Sequence, residues 1–164
     1  MKTTKTLYLA YGSNLSLHQM DYRCPDARIV GTAEIENYRL VYKGSGSGNY
    51  ATIEPAEGYE VPVLVWEISE RDEKNLDRYE GYKETGYCFY TKEYMEVEVE
   101  SWDGQSTARL EAMVYIMDPE RDYGLPSVYY ENVLREGYRR FGFDNRILNE
   151  ARQYTLQKMH RRHS

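Results

Sequence analysis

Thr6-Leu7-Tyr8-Leu9-Ala10-Tyr11-Gly12-Ser13-Asn14-Leu15 decides how the rest of the chain reads. A short apolar and aromatic run that stops at a glycine predicts a buried first strand. Gly12-Ser13-Asn14 breaks it, and residues 15–22 then predict a short helix with Asn14 or Ser16 as its cap. Pro25 ends that piece. A strand that gives way to a loop and helix presents unpaired backbone N–H groups, which bind carboxylates or phosphates. Gly12 permits an unusual backbone angle or a close approach by a ligand. Strand, glycine, polar cap and helix are a common junction, so on composition alone a purely structural reading wins.

Outward from this stretch, residues 27–35 and 38–42 read as two strands, followed by the flexible 44–48 and by strands at 50–53 and 61–68. Ser69-Glu70-Arg71-Asp72 has the form of a helix start, the helix runs to about 79, and Gly81 is its stop. Residues 87–99 alternate in part, as a half-buried strand does. Trp102-Asp103-Gly104-Gln105 is a hairpin turn, and 110–117 the return strand. Pro126-Ser127 opens a helix reaching 140 that Gly142 stops. Asp144 caps a final helix, with Ile147, Leu148, Ala151 and Thr155 spaced for packing. Strands first and helices later indicate α+β, with a curved antiparallel or mixed sheet partly closed into a barrel. No repeat or long linker divides the chain, so residues 1–164 are expected to be a single domain whose C-terminal helix begins at about 144.

A chain of 164 residues buries roughly 70% of its unfolded surface and can build a core unaided. The balance of 21 Lys+Arg against 27 Asp+Glu gives −6 and argues against a nucleic-acid partner. Lys158-Met159-His160-Arg161-Arg162-His163 is locally basic, which suits a helix C-terminus. The longest apolar stretches, such as 61–66, fall far short of the ~20 residues a membrane helix needs. The start lacks an apolar signal core, so a cytoplasmic location is expected. Two cysteines without close spacing exclude a disulfide scaffold and a Cys-based zinc motif, and His18, His160 and His163 show no metal spacing. Cys24 and Cys88 read as buried structural thiols; on a strand, Cys88 would point away from Tyr87. Residues 44–48 lack the lysine and context of a phosphate loop and read as a hairpin loop able to act as a lid. The unusual feature is 18 Tyr against 3 Phe and 2 Trp, because tyrosine can line a polar cavity.

Leu76-Asp77-Arg78-Tyr79-Glu80-Gly81 ends the first clear helix. A carboxylate at a helix C-terminus faces an unfavourable dipole, and desolvation by Tyr79, Tyr82 and Tyr87 would raise its pKa further. That combination suits a general acid/base at Glu80. Spacing alone still favours a solvated helix-end glutamate.

Together these stretches resemble the gamma-glutamylcyclotransferase-like (AIG2-like) family. Tyr11-Gly12-Ser13-Asn14-Leu15 is similar to its signature loop, and Met20-Asp21-Tyr22-Arg23-Cys24-Pro25-Asp26-Ala27 to its M-x-x-R-C-P-x-A stretch. Gly31-Thr32-Ala33, Tyr38-Arg39-Leu40, Tyr50-Ala51-Thr52-Ile53, Val65-Trp66, Leu76-Asp77, Glu80-Gly81 and Gly86-Tyr87 follow in the family's order. The likeness runs over roughly residues 6–142. It departs at Val61-Pro62, where many members carry a glycine, and in the final helix, which has no motif to match. The resemblance implies Glu80 as general acid/base and the loop Tyr11, Gly12, Ser13, Asn14 and Leu15 as substrate-binding, with Tyr87, Tyr115 and Tyr130 lining the pocket. It implies a small-molecule γ-glutamyl substrate cyclised to 5-oxoproline with release of an amine, and no cofactor or metal. Membrane and nucleic-acid partners are not expected, and the oligomeric state is open. Two further readings stand beside it: a γ-glutamyl group carried on a larger intermediate or an amine, and a binding domain that keeps the pocket without turnover.

Overall fold

Strand β1 (Thr6–Ala10) is apolar because the fold surrounds it. The computed structural model describes residues 5–162, and in it Tyr8, Leu9 and Ala10 are all buried, which puts both faces of the strand in the core. β2 (Arg28–Ser45) and β3 (Gly48–Ile68) form a long hairpin turned by Gly46-Ser47, and β4 (Tyr90–Ser101) and β5 (Thr107–Met117) form a second. β1 lies between them, antiparallel to β3 from Thr6↔Ile68 to Ala10↔Leu64 and parallel to β5 at Tyr8↔Met113. The order β3-β1-β5-β4-β2 returns to β3 through the β2–β3 pairing, giving a mixed barrel. β6 (Asp122–Tyr123) adds a short antiparallel rung to β2 at Lys43 and Gly44.

The barrel closes at a narrow seam where Gly31 pairs with Ser101 and Thr32 with Glu100. A Cβ at Gly31 would lie 1.9 Å from the Glu100 carbonyl oxygen, so a side chain there would push the strands apart. The α+β class with a mixed, barrel-like sheet is as the sequence suggests. The strand count is not: the four strands expected over 27–68 are the two long strands β2 and β3. At the expected break, Asn37 (φ 64°) faces an outward loop of β3, and its Oδ1 accepts a hydrogen bond from Gly58 N at 3.1 Å. The pairing shifts register between Glu36 and Tyr38 and resumes, which makes this a bulge rather than a turn.

The helices obey their local signals. α1 (Leu17–Arg23) is capped by Ser16, whose hydroxyl accepts from Gln19 N at 3.3 Å. A short 3-10 turn (Ser13–Leu15) precedes it, and Asn14 is buried there instead of capping. α2 (Glu70–Glu80) begins with a complete capping box between Ser69 and Asp72 and ends at Gly81 with φ 72°. α3 (Val128–Phe141) is capped by Ser127 and ends at Gly142. α4 (Arg146–Arg162) follows Asp144, whose Oδ1 accepts from Arg146 N at 3.0 Å. Leu148, Ala151 and Thr155 face inward, and the Thr155 hydroxyl accepts from Tyr42 N at 3.1 Å, which ties α4 to β2. Of the C-terminal basic run, residues up to 162 continue α4, and His163 lies outside the described residues.

The core holds Leu9, Leu15, Met20, Ile35, Ile53, Leu64, Ile68, Leu76, Met113 and Met117 with essentially no exposure. Each contributes roughly 1.5–3 kcal/mol by leaving water. Leu15 is the contact between the first-strand loop and α3: a Cβ on Gly137 would stand 2.6 Å from the Leu15 Cβ. Helix and loop approach this closely because Gly137 has no side chain. No helix among the described residues is long and apolar enough to cross a membrane.

Candidate active site

The first-strand loop is held by side chains on both flanks. Tyr11 leaves β1 and donates its hydroxyl to the Tyr115 carbonyl at 2.6 Å. Asn14 is 2% exposed; its Nδ2 donates to the Tyr8 hydroxyl at 2.9 Å, and its Oδ1 accepts from Arg23 Nη1 at 2.5 Å. Arg23 also donates to the Ser13 hydroxyl at 3.3 Å and stacks its guanidinium 3.5 Å from the centre of the Tyr79 ring. Leu15 N–H closes the turn on the Gly12 carbonyl at 3.0 Å, whereas the N–H groups of Gly12, Ser13 and Asn14 make no hydrogen bond among the described residues.

The same stack brings α2 to the loop. The helix ends at Gly81, so Glu80 is its last residue and stands beside Tyr79. A cavity of about 380 Å³ lies between them, lined by Tyr8, Tyr11, Gly12, Ser13, Asn14 and Glu80, with Tyr90, Tyr115 and Tyr130 completing the wall. The Glu80 carboxyl makes no hydrogen bond or ion pair among the described residues. Burial pushes its pKa up to about 7, against the opposing pull of the Arg23 guanidinium. Such a group exchanges protons near neutral pH, and it shares the cavity with loop residues whose unpaired N–H groups suit an anionic group. A second, larger concavity of about 1110 Å³ between β2 and β4 carries many glutamates and none of the loop.

The structure therefore brings together Tyr11, Gly12, Ser13, Asn14, Glu80, Tyr115 and Tyr130. Leu15 stands apart: it is wholly buried against α3 and serves as the loop's footing. Tyr87 is outside the cavity. It is 59% exposed, donates to Asp118 Oδ2 at 2.9 Å and accepts from Arg121 Nε at 3.0 Å. The physical reason is that the chain enters β4 only at Tyr90, so residues 87–89 do not follow strand alternation and Tyr90 occupies the wall instead. The same shift overturns the reading of Cys88, which is half-buried in that loop with its thiol donating to the Lys83 carbonyl at 3.2 Å. Cys24 is buried, and burial pushes its thiol up to about 12, which keeps it unreactive. Tyr115 gives its hydroxyl proton to Asp77 Oδ1 at 2.6 Å, and Asp77 in turn pairs with the buried Lys92 at 2.9 Å. This braces the final turn of α2 against β4 and β5.

Tyr8 and Tyr90 are site residues the sequence reading missed. Tyr8 had a signal: a tyrosine in a buried strand needs a partner for its hydroxyl, which a Phe would not. Tyr90 had none, because its place depends on where β4 begins. Among the described residues no group of three or more His, Cys, Asp or Glu is placed to hold a metal ion.

Comparison with known proteins identifies the family. Residues 8–134 match the family described as "Gamma-glutamyl cyclotransferase, AIG2-like". A gamma-glutamylcyclotransferase of Homo sapiens is 28% identical over 143 residues, covering 83% of this chain and 71% of the relative. The Mus musculus gamma-glutamylcyclotransferase is 29% identical over the same shares of each chain. A solved structure of a gamma-glutamyl cyclotransferase superposes with a TM-score of 0.73 at 25% identity, covering 91% of this chain and 87% of that one. The matched span runs from β1 into α3 and contains every residue that lines the cavity, and the chain belongs to the gamma-glutamyl cyclotransferase, AIG2-like family as an enzyme of the cyclotransferase type.

Proposed function

We propose that this protein cyclises a γ-glutamyl amino acid or related γ-glutamyl compound to 5-oxoproline and releases the free amine, with Glu80 moving the protons. The observation that carries this reading is the Glu80 carboxyl, free of partners among the described residues and lifted to about 7 in the cavity that the first-strand loop borders. The glutamyl carboxylate fits the unpaired N–H groups of Gly12, Ser13 and Asn14.

The substrate's α-amine is mostly protonated at pH 7 and cannot attack in that form. Glu80 takes one proton, and the freed nitrogen attacks the γ-carbonyl carbon of the same molecule. The new C–N bond closes a five-membered ring. As the intermediate collapses, the bond to the leaving nitrogen breaks and Glu80 returns its proton to that nitrogen. The ring nitrogen sheds its second proton, and the released amine gains one from solvent. Both reactants sit in one molecule, so folding it into the attacking shape supplies a large part of the acceleration, with effective molarities that can reach ~10⁵–10⁸ M. A general base adds roughly 10²–10⁴-fold.

The test is incubation with a panel of γ-glutamyl dipeptides and chromatographic detection of 5-oxoproline. Wild type should release 5-oxoproline and free amino acid in equal amounts, and Glu80→Gln should be slower by on the order of 10²-fold or more. Glu80→Asp should also be impaired, because the shortened side chain falls short of the amine. Turnover by Glu80→Gln at the wild-type rate would remove Glu80 as the base.

A further inference from the structure

Tyr8, Tyr11, Tyr90, Tyr115 and Tyr130 form the inner wall of the cavity, while Tyr50 and Tyr79 at its rim are 40% and 50% exposed. A phenol has one proton to donate. On the inner wall, Tyr11 donates to the Tyr115 carbonyl at 2.6 Å, Tyr90 to the Ala51 carbonyl at 2.9 Å, and Tyr115 to Asp77 at 2.6 Å. Tyr8 and Tyr130 do the opposite. The Tyr8 oxygen accepts from Asn14 Nδ2 at 2.9 Å, and the Tyr130 oxygen accepts from Ala51 N at 3.1 Å. The Asn14 amide cannot be turned round, because its Oδ1 is held by Arg23 Nη1 at 2.5 Å. The protons of Tyr8 and Tyr130 have no acceptor among the described residues.

Both tyrosines line the cavity together with Glu80 and Gly12. The Glu80 charge acts on each of them, and a Cβ on Gly12 would lie 3.2 Å from the Tyr130 oxygen. A hydroxyl whose oxygen accepts an N–H is polarised to give its own proton outward. Burial raises both phenols, so they remain protonated donors.

The cyclisation needs such donors. When the α-nitrogen bonds to the γ-carbon, an electron pair moves onto the carbonyl oxygen, and it returns when the bond to the leaving nitrogen breaks. In the reading proposed above, the loop N–H groups take the glutamyl carboxylate and Glu80 serves the nitrogens; the loop N–H groups could instead serve the oxyanion, but the two hydroxyl protons without an acceptor are donors already set in the cavity wall. We propose that Tyr8, paired with Tyr130, is a further catalytic residue: the two hydroxyls form the oxyanion hole, donating to the γ-carbonyl oxygen as it becomes charged and keeping their protons throughout. This rests on the cyclotransferase reading of the same cavity.

The test is Tyr8→Phe assayed with γ-glutamyl-L-alanine. Loss of one oxyanion donor should lower kcat by about 10²-fold or more and leave KM within about threefold. A structural role for Tyr8, in which Asn14 loses its acceptor and the loop moves, would raise KM instead. Calorimetric binding of γ-glutamyl-L-alanine in a Glu80→Gln background separates the two: adding Tyr8→Phe should leave Kd within about threefold. Placing 3,5-difluorotyrosine at position 8 keeps the donor and should retain activity far above that of the Phe variant. A Tyr8→Phe enzyme within about threefold of wild type in kcat, or a loss carried by KM and Kd, overturns the oxyanion assignment alone. A wild type that releases no 5-oxoproline from any γ-glutamyl dipeptide removes the cyclotransferase reading and this proposal with it.

Discussion

Glu80→Gln should stabilise the protein at pH 8 and hardly change it at pH 5. The Glu80 carboxyl titrates at about 7 in the folded chain against an ordinary 4.5, because burial disfavours its charged form. Between those values the folded state holds more protons than the unfolded state, so stability falls as pH rises through that window. Above pH 7 the full penalty applies; below 4.5 it is absent. At about 1.36 kcal/mol per pH unit, the rise from 4.5 to about 7 amounts to about 3 kcal/mol. At pH 5 linkage leaves less than about 1 kcal/mol of it. Glutamine does not titrate and carries no such penalty. For a chain of 164 residues, 3 kcal/mol corresponds to a Tm change of roughly 6–12 °C. Calorimetry of both proteins at pH 5 and pH 8 reads this directly: the variant's Tm advantage should appear at pH 8 and mostly vanish at pH 5. An equal difference at the two pH values would show that Glu80 is solvated, and the premise of the catalytic reading would go with it. The expected pattern is a site held charged at a cost to stability.

The kcat/KM profile should climb on its acid side with a midpoint near 7, the Glu80 value, and a steady-state pH series on γ-glutamyl-L-alanine locates it. Gly137→Ala drives a methyl to 2.6 Å from the Leu15 Cβ, so chemical denaturation should show a loss of about 1–3 kcal/mol, with slower 5-oxoproline release because the loop rides on Leu15. Unchanged stability would mean that α3 and the loop are not in contact. Ser69→Ala removes the capping box at the far end of α2 from Glu80 and should cost about 1 kcal/mol, seen as a Tm lower by roughly 2–4 °C with the rate at 25 °C little changed.

The signals that the sequence carried by itself are local ones. Ser16, Ser69, Ser127 and Asp144 cap helices because a cap bonds to backbone two or three residues away, and Gly81 and Gly142 end them for equally local reasons. The loop after β1, the glutamate at the end of α2 and the α+β class were legible on the same grounds. What tertiary structure alone decided involves groups far apart in the chain. β2 stays one strand because Asn37 bonds to Gly58, 21 residues on. Tyr87 stands outside the cavity and Tyr90 inside it because pairing with Met117 fixes where β4 begins. Glu80 could be a fully solvated helix end or a base set in a cavity, and the choice fell to Tyr8, Tyr115 and Tyr130, which arrive from β1, β5 and α3 to wall that cavity. Which tyrosines keep a free proton is more remote still: Tyr11 donates its own to the carbonyl of Tyr115, 104 positions away, and no local pattern records such a partner.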